Sequence, residues 1–252
     1  MMPRMQLLTN SPSRIDLSLE ALLHQQPVIP RPVQWRALDG VVLLDKPLGL
    51  TSNQALQAVR RLFGASKGGH TGTLDPFATG VLPLCLGEAT KFSADLLNAD
   101  KYYVASVCFG ARTDTGDLTG TIVETTDNLP SVGAIEEVLA RFDGESEQIP
   151  PMYSALKRDG QPLYKLARAG IEVERQPRKI YLSELGWSNV VLNDQGGVIT
   201  AELSVRCSKG TYIRTLAEDL ARAVGSQAHL IALRRTQVGE VSLNGCKSLE
   251  QL

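Results

Sequence analysis

The chain has 252 residues, 43% hydrophobic and 21% charged, an ordinary globular composition long enough to bury a sizeable core. Its longest apolar runs, such as Val81–Leu86 interrupted by Pro83, are far too short to cross a bilayer. A formal net charge of −1 excludes a uniformly basic nucleic-acid binder, so any RNA-binding surface must come from segregated charge.

Residues 1–38 read as a poorly ordered extension. Ile15–Leu23 has the pattern of one short amphipathic helix, and Pro27, Pro30 and Pro32 prevent it from continuing. The segment lacks the apolar stretch of a secretory signal, and Asp16 and Glu20 make it a poor transit peptide. The folded part opens near Asp39 with Val41–Leu44, a continuous apolar run that suits a buried strand. Thr51 or Ser52 then caps a helix with Ala55, Leu56, Val59, Leu62 and Phe63 at helical spacing, closed by Gly64. Tyr102–Phe109 is rich in strand formers and leads into a turn over Arg112–Asp117. Ser131 caps a second helix with Ile135, Val138, Leu139 and Phe142 on one face, stopped by Gly144. Ile199, Ala201, Leu203, Val205 and Cys207 alternate with polar residues, the mark of a half-buried strand. A last helix places Ile213, Leu216, Ala217, Leu220 and Val224 inward and ends at Gly225. Strands and helices mix without βαβ alternation, which predicts an α+β fold with a mixed or largely antiparallel sheet.

Four cysteines (Cys85, Cys108, Cys207, Cys246) stand far apart with no C-x-x-C pair, and the histidines are not clustered. This predicts no metal site and no disulfide framework, and it fits a reducing, cytoplasmic setting. The densest group of special residues is Gly68-Gly69-His70-Thr71-Gly72-Thr73-Leu74-Asp75-Pro76. Its glycines permit backbone angles that other residues resist, and Pro76 pushes Asp75 out of the helical region. A tight loop results, presenting His70, two hydroxyls and one carboxylate. The same composition also describes a plain turn, and the Walker spacing for phosphate is absent.

Arg214 falls in the first turn of the last helix, where positive charge opposes the helix dipole and calls for a compensating acid. Glu218, four residues on, is one candidate; Asp75 is the other. In the second case the guanidinium would hold the carboxylate below its ordinary pKa of about 3.9 and keep it ionised. Of Tyr102 and Tyr103, a strand turns one inward and the other outward. Lys46-Pro47 reads as a strand stop. Between Lys157 and Lys179, seven Lys/Arg face three acids, which is also the pattern of a solvated surface.

Six segments acquire meaning together: Val41-Val42-Leu43-Leu44-Asp45-Lys46-Pro47-Leu48-Gly49, Gly69 through Pro76, Gly87-Glu88-Ala89-Thr90-Lys91-Phe92, Arg112-Thr113-Asp114-Thr115-Gly116-Asp117, Gln148 through Lys157, and Ser208 through Thr215. In this order they resemble the motif series of the TruB family, which makes the pseudouridine at position 55 in the T-loop of tRNA. The likeness runs from about Asp39 to Leu252. It implies a pseudouridine synthase fold over 39–252 and an isomerase without cofactor. Asp75 matches the family's catalytic aspartate, Tyr103 the tyrosine that stacks on the target base, and Arg214 the arginine that pairs with the aspartate. His70, Tyr212 and Leu233 match residues contacting RNA or uracil, and Lys46 and Pro47 the motif buttressing the catalytic loop. Residues 148–179 resemble a mobile thumb that closes on RNA, with Lys91, Lys157, Arg168 and Lys209 as weaker candidate RNA contacts.

The implied partner is the tRNA T-arm, with no membrane and no protein partner, and the implied state is a monomer. Bacterial members usually continue into a small PUA-like domain; here the sequence stops at Leu252, so that domain is expected to be absent. The rival reading is a non-catalytic RNA-binding or RNA-folding module that retains the fold and predicts Asp75 to be dispensable.

Overall fold

In the computed structural model, which describes residues 33–252, the chain enters its main sheet through β1 (Gly40–Lys46). The compact unit begins slightly earlier, at Trp35, because Arg36 donates its N–H to the Gly64 carbonyl and accepts from the Ser66 N–H. The helix expected over Ile15–Leu23 lies outside the described residues.

Helix α1 (Ser52–Phe63) has the predicted ends. Thr51 and Gln54 form a reciprocal capping box, and Gly64 closes the helix in the left-handed region at φ 65°. The glycine-rich segment is less irregular than expected, since its first three residues form a short strand, β2 (Gly68–His70), paired with β3 (Ala78–Leu86). Helix α2 (Ser93–Asn98) precedes β4 (Lys101–Phe109) and the small hairpin of β5 (Ala111–Thr113) and β6 (Ile122–Thr125). Helix α3 (Val132–Phe142) is capped by Ser131 as predicted. Its C-cap is Asp143, and Gly144 already opens β7 (Gly144–Gln148).

The stretch likened to a thumb holds β8 (Lys157–Arg158), β9 (Gln161–Pro162) and α4 (Leu163–Arg168). Then come β10 (Arg178–Leu192), β11 (Val198–Cys207), α5 (Ile213–Ala223), β12 (Ala228–Val238) and β13 (Val241–Ser242). Alternation in β11 runs as predicted, with Ala201, Leu203, Val205 and Cys207 buried, while Ile199 is exposed and Val198 takes its place in the core.

The main sheet has the order β1-β3-β12-β4-β11-β10-β7, with β2 added on β3 and β13 on β12. Every pairing is antiparallel except that of β12 with β3. The expected mixed, largely antiparallel α+β architecture is therefore present. Strand β12 is the keystone, because it brings the last part of the chain between two strands from its first half. The approach is close: a Cβ on Gly80 would lie 2.1 Å from the Arg235 carbonyl oxygen. Gly80 also sits at φ 108°, so only glycine fits there. Helix α5 packs on β12 and β4, and α3 is pinned to β10 by the Trp187 indole N–H, which donates to the Ile135 carbonyl (2.7 Å).

Candidate active site

Asp75 ends the glycine-rich segment just ahead of β3, and its neighbours are tied on several sides. The Ser52 hydroxyl at the start of α1 donates to the Leu74 carbonyl (3.0 Å) and accepts from the Leu74 N–H (2.8 Å). The Gly49 N–H donates to the Pro76 carbonyl (2.8 Å), and both the N–H and the hydroxyl of Thr71 donate to the Pro83 carbonyl. Five hydrogen bonds on three residues of this short segment give the carboxylate a defined position.

Arg214, the second residue of α5, reaches Asp75 with Nη2 at 3.0 Å from Oδ2 and lies 3.7 Å from Asp117 through Nη1. It also donates to the Thr115 carbonyl (2.7 Å) and the Tyr153 carbonyl (2.8 Å). The dipole conflict at the helix start is thus met by Asp75 and Asp117, and among the described residues Arg214 makes no ion pair with Glu218. One guanidinium gathers the catalytic-loop candidate, the 113–121 turn and the start of the thumb-like segment.

The expectation that Arg214 would hold Asp75 below the ordinary aspartate pKa is corrected. Burial dominates and pushes the carboxyl up. Arg214 pulls the other way, through its charge and its hydrogen bond, and the nearby Asp117 carboxylate opposes that pull. The sequence showed the partner but not the depth of the site.

Two openings meet at Asp75. On one side is a cavity of about 330 Å3 whose lining includes Tyr103, Tyr212, Leu233 and Lys209. On the other is a groove of about 800 Å3 reached by His70, Tyr164 and Arg168. Asp75 and Arg214 line both. Tyr103 faces the cavity, whereas Tyr102 turns away: its hydroxyl donates to Glu184 (3.0 Å) and Arg206 stacks 5.2 Å over its ring.

Lys46 stands behind the loop. It is fully buried, and its ammonium donates to the carbonyls of Pro47 (2.9 Å) and Leu50 (2.7 Å). Burial lowers its pKa to about 8, with the Asp75 charge pulling back upward. Pro47 enters only through that carbonyl. Two further candidates lie away from both openings: Lys91 pairs with Glu88 on the 3-10 turn Gly87–Phe92, and Lys157 sits exposed in β8.

Sequence reasoning missed two buried cations in the cavity wall. Arg235, 1% exposed, donates through Nε to the Val81 carbonyl (2.8 Å) and through Nη2 to the Gly72 carbonyl (3.3 Å). Lys101 donates to the carbonyls of Leu97 (2.8 Å) and Ala99 (2.6 Å) at the end of α2, and burial lowers its pKa to about 8. A signal existed for both. Lys101 shares strand parity with Tyr103, and Arg235 with Leu233, so each points to the same face as a predicted site residue. His70 has its own peculiarity, a buried Nδ1 without a hydrogen-bond partner, and burial lowers its pKa. Taken together, the site offers a positioned carboxylate, an aromatic and aliphatic cavity of nucleobase scale, and a cationic surround suited to a polyanion.

Comparison with known proteins identifies the family. Residues 60–213 match the model of the TruB family pseudouridylate synthase (N terminal domain), and residues 214–252 match that of the tRNA pseudouridylate synthase B C-terminal domain. The boundary falls inside α5, and Arg214, Leu233 and Arg235 lie in the second match. The tRNA pseudouridine synthase B of Dechloromonas aromatica (strain RCB) is 56% identical over 86% of this chain and 71% of the relative. That of Bordetella avium (strain 197N) is 58% identical over 85% of this chain and 87% of the relative. Among solved structures, a Cbf5-Nop10-Gar1 complex matches with a TM-score of 0.61 at 29% identity, covering 87% of this chain. The archaeal box H/ACA sRNP Nop10-Cbf5 complex gives 0.59 at 26%, covering 88%. In both cases the chain spans about half (55%) of the solved relative. The chain belongs to the TruB family of pseudouridylate synthases.

Proposed function

We propose that the chain isomerises uridine to pseudouridine in tRNA, at the T-loop uridine, with Asp75 as the reacting carboxylate. The observation that carries this reading is the place of Asp75 at the junction between a nucleobase-sized cavity and a wider groove, with Arg214 fixed against it. The reaction breaks the bond from C1′ to N1, turns the uracil and rejoins it through C5. It consumes no redox equivalent and no nucleotide, so a protein carboxylate and a closed pocket can supply what it needs.

The groove receives the RNA backbone and the cavity receives the target base. Taking that base out of its stack costs a few kcal/mol. Stacking on Tyr103 returns about 1–3 kcal/mol. Leu233 and Tyr212 complete the cavity and keep water from the sugar while uracil is detached. Ionised Asp75 acts on C1′ directly or takes the C2′ proton, and both routes begin with the carboxylate beside the sugar. His70 fills space vacated in the RNA. Lys46 and Pro47 brace the loop, and Arg168 and Lys209 meet phosphates, joined by Lys157 and Lys91 along the bound arm. Residues 148–179 act as the closing thumb. The chain works as a monomer on the tRNA T-arm in the cytoplasm, a setting supported by four free cysteines among the described residues.

The test is tritium release from an unmodified tRNA transcript labelled at uridine C5, with the modified position mapped. Release with pseudouridine in the T-loop supports the reading. Release with pseudouridine elsewhere would move the substrate, and RNA binding without release would favour the non-catalytic RNA-binding module.

A further inference from the structure

The two openings beside Asp75 share a short rim made of Thr73, Asp75, Ser154, Ala155 and Arg214. A nucleotide with its base in the cavity and its backbone in the groove must pass its sugar through this rim. Asp75 and Arg214 are engaged with each other there, and Thr73 is exposed. Ser154 differs from all of them. It is 5% exposed, and its Oγ is buried without a hydrogen-bond partner of acceptable geometry, although Tyr212 stands next to it. Buried hydroxyls are ordinarily satisfied, so an unsatisfied one at a rim points to a missing ligand group.

The backbone that carries this hydroxyl is tied by hydrogen bonds, one of them from the partner of Asp75. Arg214 donates to the Tyr153 carbonyl (2.8 Å), the Ser154 N–H donates to the Met152 carbonyl (2.9 Å), and the Ser154 carbonyl accepts from Tyr164 (3.1 Å). The position of Oγ is therefore set together with that of the carboxylate. We propose that Ser154 Oγ hydrogen-bonds the 2′-hydroxyl of the target nucleotide and makes the site specific for ribose.

This inference rests on the reading of the site as a nucleotide pocket. An internal nucleotide has only one free sugar hydroxyl, because its 3′ and 5′ oxygens are phosphate esters. That hydroxyl sits on C2′, next to the carbon that Asp75 must approach, and it both donates and accepts, as Ser154 does.

The test is a double-mutant cycle between protein and RNA. Fluorescence anisotropy gives the Kd of the full chain carrying Asp75→Asn, with and without Ser154→Ala. The ligands are T-arm hairpins with ribouridine or 2′-deoxyuridine at the target. Losing one hydrogen bond costs between about 2- and 10-fold, so Ser154→Ala and the 2′-deoxy change should each weaken binding by that factor. Together they should weaken it no further. Additive losses, or no effect of Ser154→Ala on the ribouridine hairpin, would overturn the proposal.

Thermal denaturation separates this role from a structural one. Because Oγ makes no well-formed hydrogen bond within the protein, Ser154→Ala should leave the Tm unchanged or raised, and a clear drop in Tm would contradict the assignment. If Ser154→Ala does not fold, Ser154→Cys, a weaker hydrogen-bonding group of similar size, carries the same cycle with the same two outcomes. Absence of turnover in the parent chain would undermine the catalytic reading without affecting the interpretation of these Kd values.

Discussion

The cavity on one side of Asp75 and the groove on the other are made of different kinds of chain. The cavity is walled by β4, β12 and the β11–α5 junction, and its buried cations are each fixed by backbone carbonyls. The groove is lined by the 114–121 turn, by residues 153–155 and by the six-residue α4, where exposed Arg168 stacks 5.5 Å over the Tyr164 ring. Groups that must hold a reacting atom in place belong on regular elements with locked partners. Groups that must accommodate a polyanion of variable shape can sit on short, solvent-facing segments. Changes in the cavity should therefore act on rate, and changes in the groove on affinity.

Arg214 offers the largest effect short of removing the carboxylate. Arg214→Ala should lower single-turnover rate by about 100-fold through misplacement of Asp75. It also leaves Asp117 buried without its ion pair, which should lower stability by about 3 kcal/mol in chemical denaturation. A rate within a few-fold of the parent would mean that the ion pair is structural only. The tyrosine pair gives the next contrast. Tyr103→Ala should lose the stacking term of about 1–3 kcal/mol in kcat/KM, while Tyr102→Ala stays within about 0.5 kcal/mol. The reverse ranking would put the wrong face of β4 in the cavity.

Titration sharpens the comparison further. Asp75 works as a carboxylate, and burial raises its pKa, so the acid limb of the rate profile should lie above the ordinary aspartate value. Asp117→Asn removes a charge that pushes in the same direction and should move that limb to lower pH. Stability has its own signature at the alkaline end. Lys46 titrates at about 8 in the fold against 10.5 for a free side chain. Between those values the unfolded chain binds more protons than the folded one, so stability should rise with pH across that window. Lys101 adds to the same trend. A flat profile from pH 8 to 10 would contradict the buried-cation description. The smallest effects belong to the groove side: Arg168→Ala should weaken tRNA binding evenly across sequences and reduce the salt slope by about one. An equal loss of rate at saturating tRNA would blur the division between the two openings.

Much of this arrangement was legible in the residues because its signals are local. The cap at Thr51, the cap at Ser131 and the alternation along β11 from Ala201 to Cys207 each depend on a few neighbouring positions, and each formed as read. The dipole argument at Arg214 reduced its partner to two acids, and the fold selected Asp75. What stayed hidden depends on long-range placement. Nothing near Arg235 indicates that β12 runs parallel to β3 across some 150 residues of chain, so a strand cation that reads as surface becomes the most buried arginine among the described residues. The raised pKa of Asp75 was missed for the same reason, because desolvation comes from walls contributed by several distant segments. The short β2 was hidden inside a composition that also describes a turn.

The central claim is that Asp75, held between the two openings, is the reacting group. Its most direct test is the single-turnover rate of pseudouridine formation by Asp75→Asn, measured beside its affinity for unmodified tRNA. The account predicts no detectable product with a Kd within a few-fold of the parent. Product formed at a rate near that of the parent would remove Asp75 from its role and reopen the reading of the site.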